Sequence, residues 1–257
     1  MPAKRQSEEA FRNPRIDVVP YAFDLPDRHL IPAHEHSRDQ LVYAQTGVMT
    51  VMTAAGSWVV PPNRAVWVPT GVEHHLRMSG RVEMRTLYLR KRFVASLPRT
   101  CCVVAVPPLL RELILHVVRR GPLSRRSASG RRILDFLLDC LRELSAIPMH
   151  VPWPADPRAR RVAEAVTSNP ASTATLDELA ASAGASKRTI ERLFIVETSL
   201  GFRTWRQQVR MLKSLELLAA CKNVTTVALD VGYASTSAFI AAFRRAFGST
   251  PRRYYRE

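Results

Sequence analysis

The chain has 257 residues, enough for two domains of ordinary size. Its 46% hydrophobic and 23% charged residues are the balance of a soluble globular protein and exclude a disordered one. No run approaches 18 uncharged apolar residues, and the best, from Cys101 to Val118, is broken by Pro107, Pro108, Arg111 and Glu112. The composition therefore predicts no membrane span, and the first fifteen residues lack the apolar stretch of a secretory signal.

Thirty-eight Lys and Arg against 22 Asp and Glu give a formal charge of +16, a field that attracts polyanions, nucleic acid above all. The excess is shared: residues 1–154 carry 22 basic and 13 acidic residues (+9), residues 155–257 carry 16 and 9 (+7), so charge marks neither half as the binder. Cys101, Cys102, Cys140 and Cys221 have the spacing of neither a zinc module nor a disulfide framework. A reducing cytoplasm is the expected compartment.

Residues 1–15 read as a polar tail. From Ile16 to Arg92 short runs such as LVYAQ, VMTVMT, SWVV, AVWVP and VEMRTLYL are punctuated by Thr46-Gly47, Ala55-Gly56, Pro61-Pro62-Asn63 and Thr70-Gly71. This pattern predicts a β-sandwich or barrel over residues 16–98. The texture then turns helical. Leu110, Leu113, Ile114, Val117 and Val118 fall at helical spacing over 107–120. Ile133, Phe136, Leu137, Cys140, Leu141 and Leu144 do so over 129–147. These stripes exceed what one barrel edge needs, so segment 99–147 is expected to form a homodimer or interdomain contact, the other reading being packing on the chain's own barrel. Four prolines in PMHVPWPADP predict a linker over 148–157, and the chain from Arg158 onward reads as helical.

The last third contains a repeat. LDELAASAGASKRTIERLF (176–194) matches VTTVALDVGYASTSAFIAAF (224–243): Leu176, Leu179, Ala180, Ala183 and Gly184 recur 48 residues on, and Ser186, Ile190 and Phe194 recur 49 on. Each copy predicts a short helix, a glycine corner and a second helix capped by serine, with Thr175 and Glu178 forming a capping box. That is a helix-turn-helix pattern, whose second helix enters the major groove. The 18 residues Arg203–Ala220 between the copies contain no Gly or Pro and predict one helix about 27 Å long, near the ~34 Å that separates successive major grooves on one DNA face.

Residues 158–257 resemble the DNA-binding domain of AraC/XylS-type transcription regulators. The stretch VALDVGYASTSAFIAAFRRAFGSTPRRYY is similar to that family's C-terminal signature through Gly232-Tyr233, Phe239, Phe243, Phe247-Gly248, Thr250-Pro251 and Tyr254. The resemblance implies a seven-helix domain with two helix-turn-helix units that binds double-stranded promoter DNA. It assigns base reading to Lys187, Arg188, Glu191 and Arg192 in the first unit and to Thr236, Ser237, Ile240 and Ala241 in the second. Arg188 and Arg192 lie one turn apart and suit guanine, Glu191 suits cytosine N4 or the orientation of an Arg, and Ile240 suits a thymine methyl. The second set is uncharged, unlike the usual family member, so less base readout is expected from it. Arg244, Arg245, Arg252 and Arg253 are read either as phosphate contacts or as a solvated basic face.

HEHSRDQLVYAQTG (34–47) and PTGVEH (69–74) resemble the two cupin motifs, with Gln40 in place of the metal-binding Glu and Met78 in place of a following Asn. His34 and His36 share one strand face, His75 points away from His74, and His34, His36, Gln40 and His74 could gather around a divalent Zn, Ni, Co or Fe ion. The other reading is a cupin that has lost its metal and uses the histidines as hydrogen-bonding groups. No cofactor is required in either case. Trp58 and Trp67 line an effector pocket or fill the sheet core.

These readings predict an α+β two-domain protein, a cupin-like barrel with a helical hairpin followed by an all-α domain. It would be a sequence-specific transcription regulator, not an enzyme, answering to a small-molecule or metal effector, with RNA polymerase as a further partner. The alternative is a cupin metalloenzyme, a dioxygenase or isomerase, which leaves the repeat unexplained. A nucleoid protein without sequence preference is a third reading of the +16 charge.

Overall fold

The structure, a computed structural model, describes residue 11 and residues 13–93, 97–147 and 149–254. The polar tail expected over 1–15 falls mostly outside these. The chain divides into two compact units, Met1–Val51 with Val60–Met149, and Met52–Val59 with His150–Glu257. The strands are β1 (Val18–Leu25), β2 (Leu30–His34), β3 (Asp39–Thr53), β4 (Gly56–Val60), β5 (Arg64–Val68), β6 (His74–Leu89), β7 (Cys102–Ala105), β8 (Ala146–Ile147) and β9 (His150–Pro152).

In the first unit hydrogen-bonded neighbours run β1-β6-β3-β5-β7-β8, with β2 also on β6. The antiparallel register of β1 on β6 runs from Val18↔Leu89 to Leu25↔Val82. Strand β6 alternates, burying His74, Leu76, Met78, Gly80, Val82 and Met84 while the residues between them stay at least partly open. This period of two fixes which face meets the core. Helices α1 (Pro108–Arg120) and α2 (Ala128–Arg142) follow. Pro108 starts α1, where no N–H is needed, and the Ser127 side chain caps α2 by accepting from Gly130 N.

Leu110, Ile114 and Val117 of α1 and Leu134, Leu137, Leu138 and Leu141 of α2 join one core cluster with the sheet residues Leu41, Tyr43, Trp67, Leu87, Leu89 and Val104. The apolar stripes expected to meet a second copy are thus engaged by the chain's own sheet, leaving Leu109 and Phe136 as the large apolar side chains exposed on these two helices. Helix α2 also stops at Arg142, short of the expected Ile147. The next residues form β8, pairing Ile147 with Val103 of β7, and Val66 of β5 pairs with Val103 on the other side. The sequence reading did not separate β7 from the helix after it, because a four-residue apolar run has no period of its own. The proline-rich stretch expected as a linker holds β9, and Asp156 caps the next helix there.

In the second unit β9 pairs with Gly56–Trp58. Among the described residues seven helices follow: α3 (Pro157–Ser168), α4 (Leu176–Ser182), α5 (Lys187–Thr198), α6 (Phe202–Ala219), α7 (Val224–Asp230), α8 (Thr236–Phe247) and α9 (Pro251–Tyr254). The repeat is structural. Thr175 closes a capping box on Glu178, and Asn223, 48 residues on, caps α7 through Thr226 N. Ser186 and Ser235 cap α5 and α8. Ala180, Ala183, Ile190 and Phe194 are buried, as are Ala228, Val231, Phe239 and Phe243.

The corners are Gly184 at φ +70° and Gly232 at φ +80°, a left-handed conformation that costs an L-residue about 1–2 kcal/mol. Their surroundings differ. A Cβ on Gly184 would meet nothing within 4 Å, whereas one on Gly232 would lie 2.7 Å from the Arg210 guanidinium and 3.1 Å from Ala171 Cα. Gly184→Ala is therefore expected to cost about 1 kcal/mol, and Gly232→Ala clearly more. Urea unfolding followed by far-ultraviolet circular dichroism measures both; equal losses would refute the distinction.

Candidate nucleic-acid interface and histidine cluster

Helix α5 buries Ile190, Leu193 and Phe194 and turns Lys187, Arg188, Glu191 and Arg192 outward, all four exposed. Burial at 190, 193 and 194 leaves 188, 191 and 192 on the opposite arc, as helical geometry requires. Among the described residues Arg188 and Arg192 hold no hydrogen-bond or ion-pair partner, while Glu191 lies within electrostatic reach of Lys187. Lys187 Nζ lies 3.1 Å from Asp177 of α4. An exposed pair of this kind is weak, so Lys187 can exchange the carboxylate for another anion.

Helix α8 buries Phe239, Ala242 and Phe243. Ser237, Ala241, Arg244 and Arg245 are exposed, while Thr236 and Ile240 are half-buried. Ser237, Ile240, Ala241, Arg244, Arg245 and Thr250 line one open depression. The first turn of this helix therefore offers hydroxyls and a methyl, and its last turn offers two guanidinium groups. An aromatic chain fastens it from behind: Tyr233, Phe239, Phe243 and Phe247 stack edge to face in sequence, with centroids 4.6 to 5.7 Å apart, and Tyr254 of α9 closes on Phe243 and Phe247. Arg252 and Arg253 are exposed on α9.

In the first unit the strand register places His34 of β2 directly opposite His74 of β6. Their rings lie 4.4 Å apart, and the His36 ring lies 5.0 Å from His74 and 6.1 Å from His34. His34 Nδ1 donates to Pro32 O (2.9 Å) and His74 Nδ1 to Val72 O (2.8 Å), which leaves each Nε2 with a lone pair. His74 is 1% exposed, and its Nε2 is buried without a partner. His36 likewise donates from Nδ1, to Arg38 O (2.5 Å), and its Nε2 faces the Gln40 side-chain amide at 2.8 Å; that amide is in turn pinned by Thr86 Oγ1 (3.0 Å) and Tyr88 Oη (2.8 Å).

The four side chains expected around a divalent ion thus do meet, but His36 and Gln40 satisfy each other and two imidazole lone pairs remain. Among the described residues no three His, Cys, Asp or Glu side chains form a metal-holding group. As placed, these residues do not fit such an ion. Thr86 and Tyr88, which hold Gln40, escaped the sequence reading because they lie 46 and 48 residues downstream and meet it only through strand pairing. Trp67 donates its indole N–H to Pro98 O (2.9 Å) and belongs to the core between sheet and helices. Trp58 is buried and stacks on His150 at 6.0 Å. Neither tryptophan joins the histidines.

The comparisons with known proteins bear on both halves of the chain. The family model described as a helix-turn-helix domain matches residues 179–257, and that of the AraC-like ligand-binding domain matches residues 15–197. The HTH-type transcriptional regulator NimR of Escherichia coli K12 is 36% identical over 223 residues, 87% of this chain and 81% of that protein. The HTH-type transcriptional regulator RipA of Corynebacterium glutamicum is 42% identical over 100 residues, 39% of this chain and 30% of that protein. The chain belongs to the AraC family of transcription regulators, with an N-terminal ligand-binding domain and a C-terminal helix-turn-helix domain that binds DNA.

Burial pulls the pKa of His74 down to about 4 and lowers that of His36 as well. Between pH 6.5 and about 4 the unfolded chain binds more protons at His74 than the folded one. This burial leaves stability unaffected above pH 6.5 and lowers it as pH falls to about 4, by about 3 kcal/mol at the acid end. Urea midpoints at pH 7.5 and 4.5 should fall further in the native protein than in His74→Gln; parallel falls would contradict the assignment.

Proposed function

We propose that the two halves of the DNA-binding domain divide their labour, the first reading most of the bases and the second holding mainly backbone, with a smaller share of base contact through Ile240. The observation that carries this is the outward face of α5, where Arg188 and Arg192 stand exposed and unpaired one turn apart, against the uncharged first turn of α8. Paired arginines of this spacing suit guanine O6 and N7. Thr236 and Ser237 suit phosphate oxygens, as do Arg244 and Arg245, so affinity depends steeply on salt while specificity comes mainly from α5. The protein meets its promoter in the cytoplasm. Selection from random DNA should return a defined operator, where a nucleoid protein would return none. Arg192→Ala should remove most discrimination between that operator and random DNA, while Arg252→Ala should weaken both alike. Equal losses from the two substitutions, measured by fluorescence anisotropy, would overturn the division.

For the ligand-binding domain we infer a small organic effector that donates hydrogen bonds to the bare Nε2 atoms of His34 and His74. The buried, unpartnered Nε2 of His74 is the support for this, because an acceptor without a donor is costly in a protein interior. A divalent ion would instead have to break the His36–Gln40 bond. In a promoter-reporter assay His74→Ala should abolish the effector response. With purified protein, chelation should leave effector-dependent DNA binding unchanged; loss of the response on chelation, restored by Zn, Ni, Co or Fe, would establish the metal instead.

A further inference from the structure

Helix α6 carries three polar side chains, Arg206, Gln207 and Arg210, that the reading of bases and phosphates does not use. Arg210 Nε donates to Pro170 O (3.0 Å) and its Nη2 to Ser172 O (3.3 Å). Arg206 Nη1 donates to Ala174 O (2.7 Å), and its Nη2 donates to Ser172 O as well. All these acceptors lie in the loop that leads into α4, the first helix of the first helix-turn-helix unit. The same Arg210 guanidinium lies over Gly232, the corner of the second unit, where a Cβ would come within 2.7 Å of it and 3.1 Å of Ala171. Gln207 Nε2 donates to the hydroxyl of Tyr233, the next residue. One guanidinium therefore touches the entrance of one reading unit and the corner of the other.

The repeat shows which part of this is shared. Arg161 of α3, 49 residues before Arg210, donates to Ala183 O at the corner of the first unit (2.8 Å). Each corner is backed by an arginine from the helix before it, and Arg210 alone of the pair also reaches across to the other copy. The chemistry favours arginine, whose planar fork offers five donors in fixed directions and stays charged, whereas a lysine ammonium is a single point. Gly232, having no Cβ, leaves room for that group.

We infer that Arg210, supported by Arg206, is a positioning residue that fixes one helix-turn-helix unit relative to the other, and so sets the spacing between half-sites that the protein accepts. The test uses the full chain and oligonucleotides built from its selected operator, with the two half-sites at the native spacing or with one base pair inserted or removed, and a third duplex in which the second half-site is scrambled. Native protein should lose at least tenfold in affinity on either change of spacing. Arg210→Met should weaken binding at native spacing, shrink the spacing penalty severalfold, and leave affinity for the scrambled duplex unchanged. Arg210→Lys, which keeps the charge and the helix, should behave like Arg210→Met; it also decides the matter if the methionine variant fails to fold. An unchanged spacing penalty, an equal loss on all duplexes, rescue by lysine, or native protein indifferent to spacing would each overturn the assignment.

Discussion

A single helix has to serve two reading units at once, and most of the DNA-binding domain follows from that constraint. Helix α6 packs against α3, α5, α7 and α8. Near its start Phe202 and Trp205 close on Phe194 of α5, with centroids 5.1 to 5.3 Å apart, and its later turns bury Met211, Leu212 and Leu215. A helix shared between two small cores cannot rotate to suit one without disturbing the other. Cores packed at crystal-like density resist continuous deformation, so the packing of α6 restrains the angle between α5 and α8. DNA must present its grooves to match.

Much of this was legible in the residues. Buried positions recur at 48 and then 49 residues, the corners are glycines with positive φ, and Thr175, Ser186 and Ser235 cap their helices as expected, so local chemistry and global fold agree. The reach of Arg210 to Pro170 and Ser172 was not legible. It depends on a loop 40 residues away being carried alongside α6, and no periodicity in the sequence encodes that.

The ligand-binding domain shows the same division. Motif spacing correctly brought His34, His36 and His74 together, because strand pairing sets His34 opposite His74. It could not show that the amide at position 40 would be held by Thr86 and Tyr88 and would take the ring nitrogen of His36 for itself. The exchange of carboxylate for amide is visible in the sequence; its outcome, a polar chain rather than a ligand set, is a tertiary fact. The stripes on α1 and α2 carry a related lesson. Their apolar residues are equally suited to a partner or to the sheet, and only the placement of Trp67, Leu87 and Val104 beside them decides.

The pair between Lys187 and Asp177 has an electrostatic consequence of its own. Were Lys187 to exchange that carboxylate for DNA, it would leave Asp177 uncompensated, a negative charge facing a polyanion. Added salt screens that repulsion as well as the attraction, so the two effects partly cancel. This corner of the interface should contribute less to the salt dependence of binding than a lysine without a carboxylate neighbour.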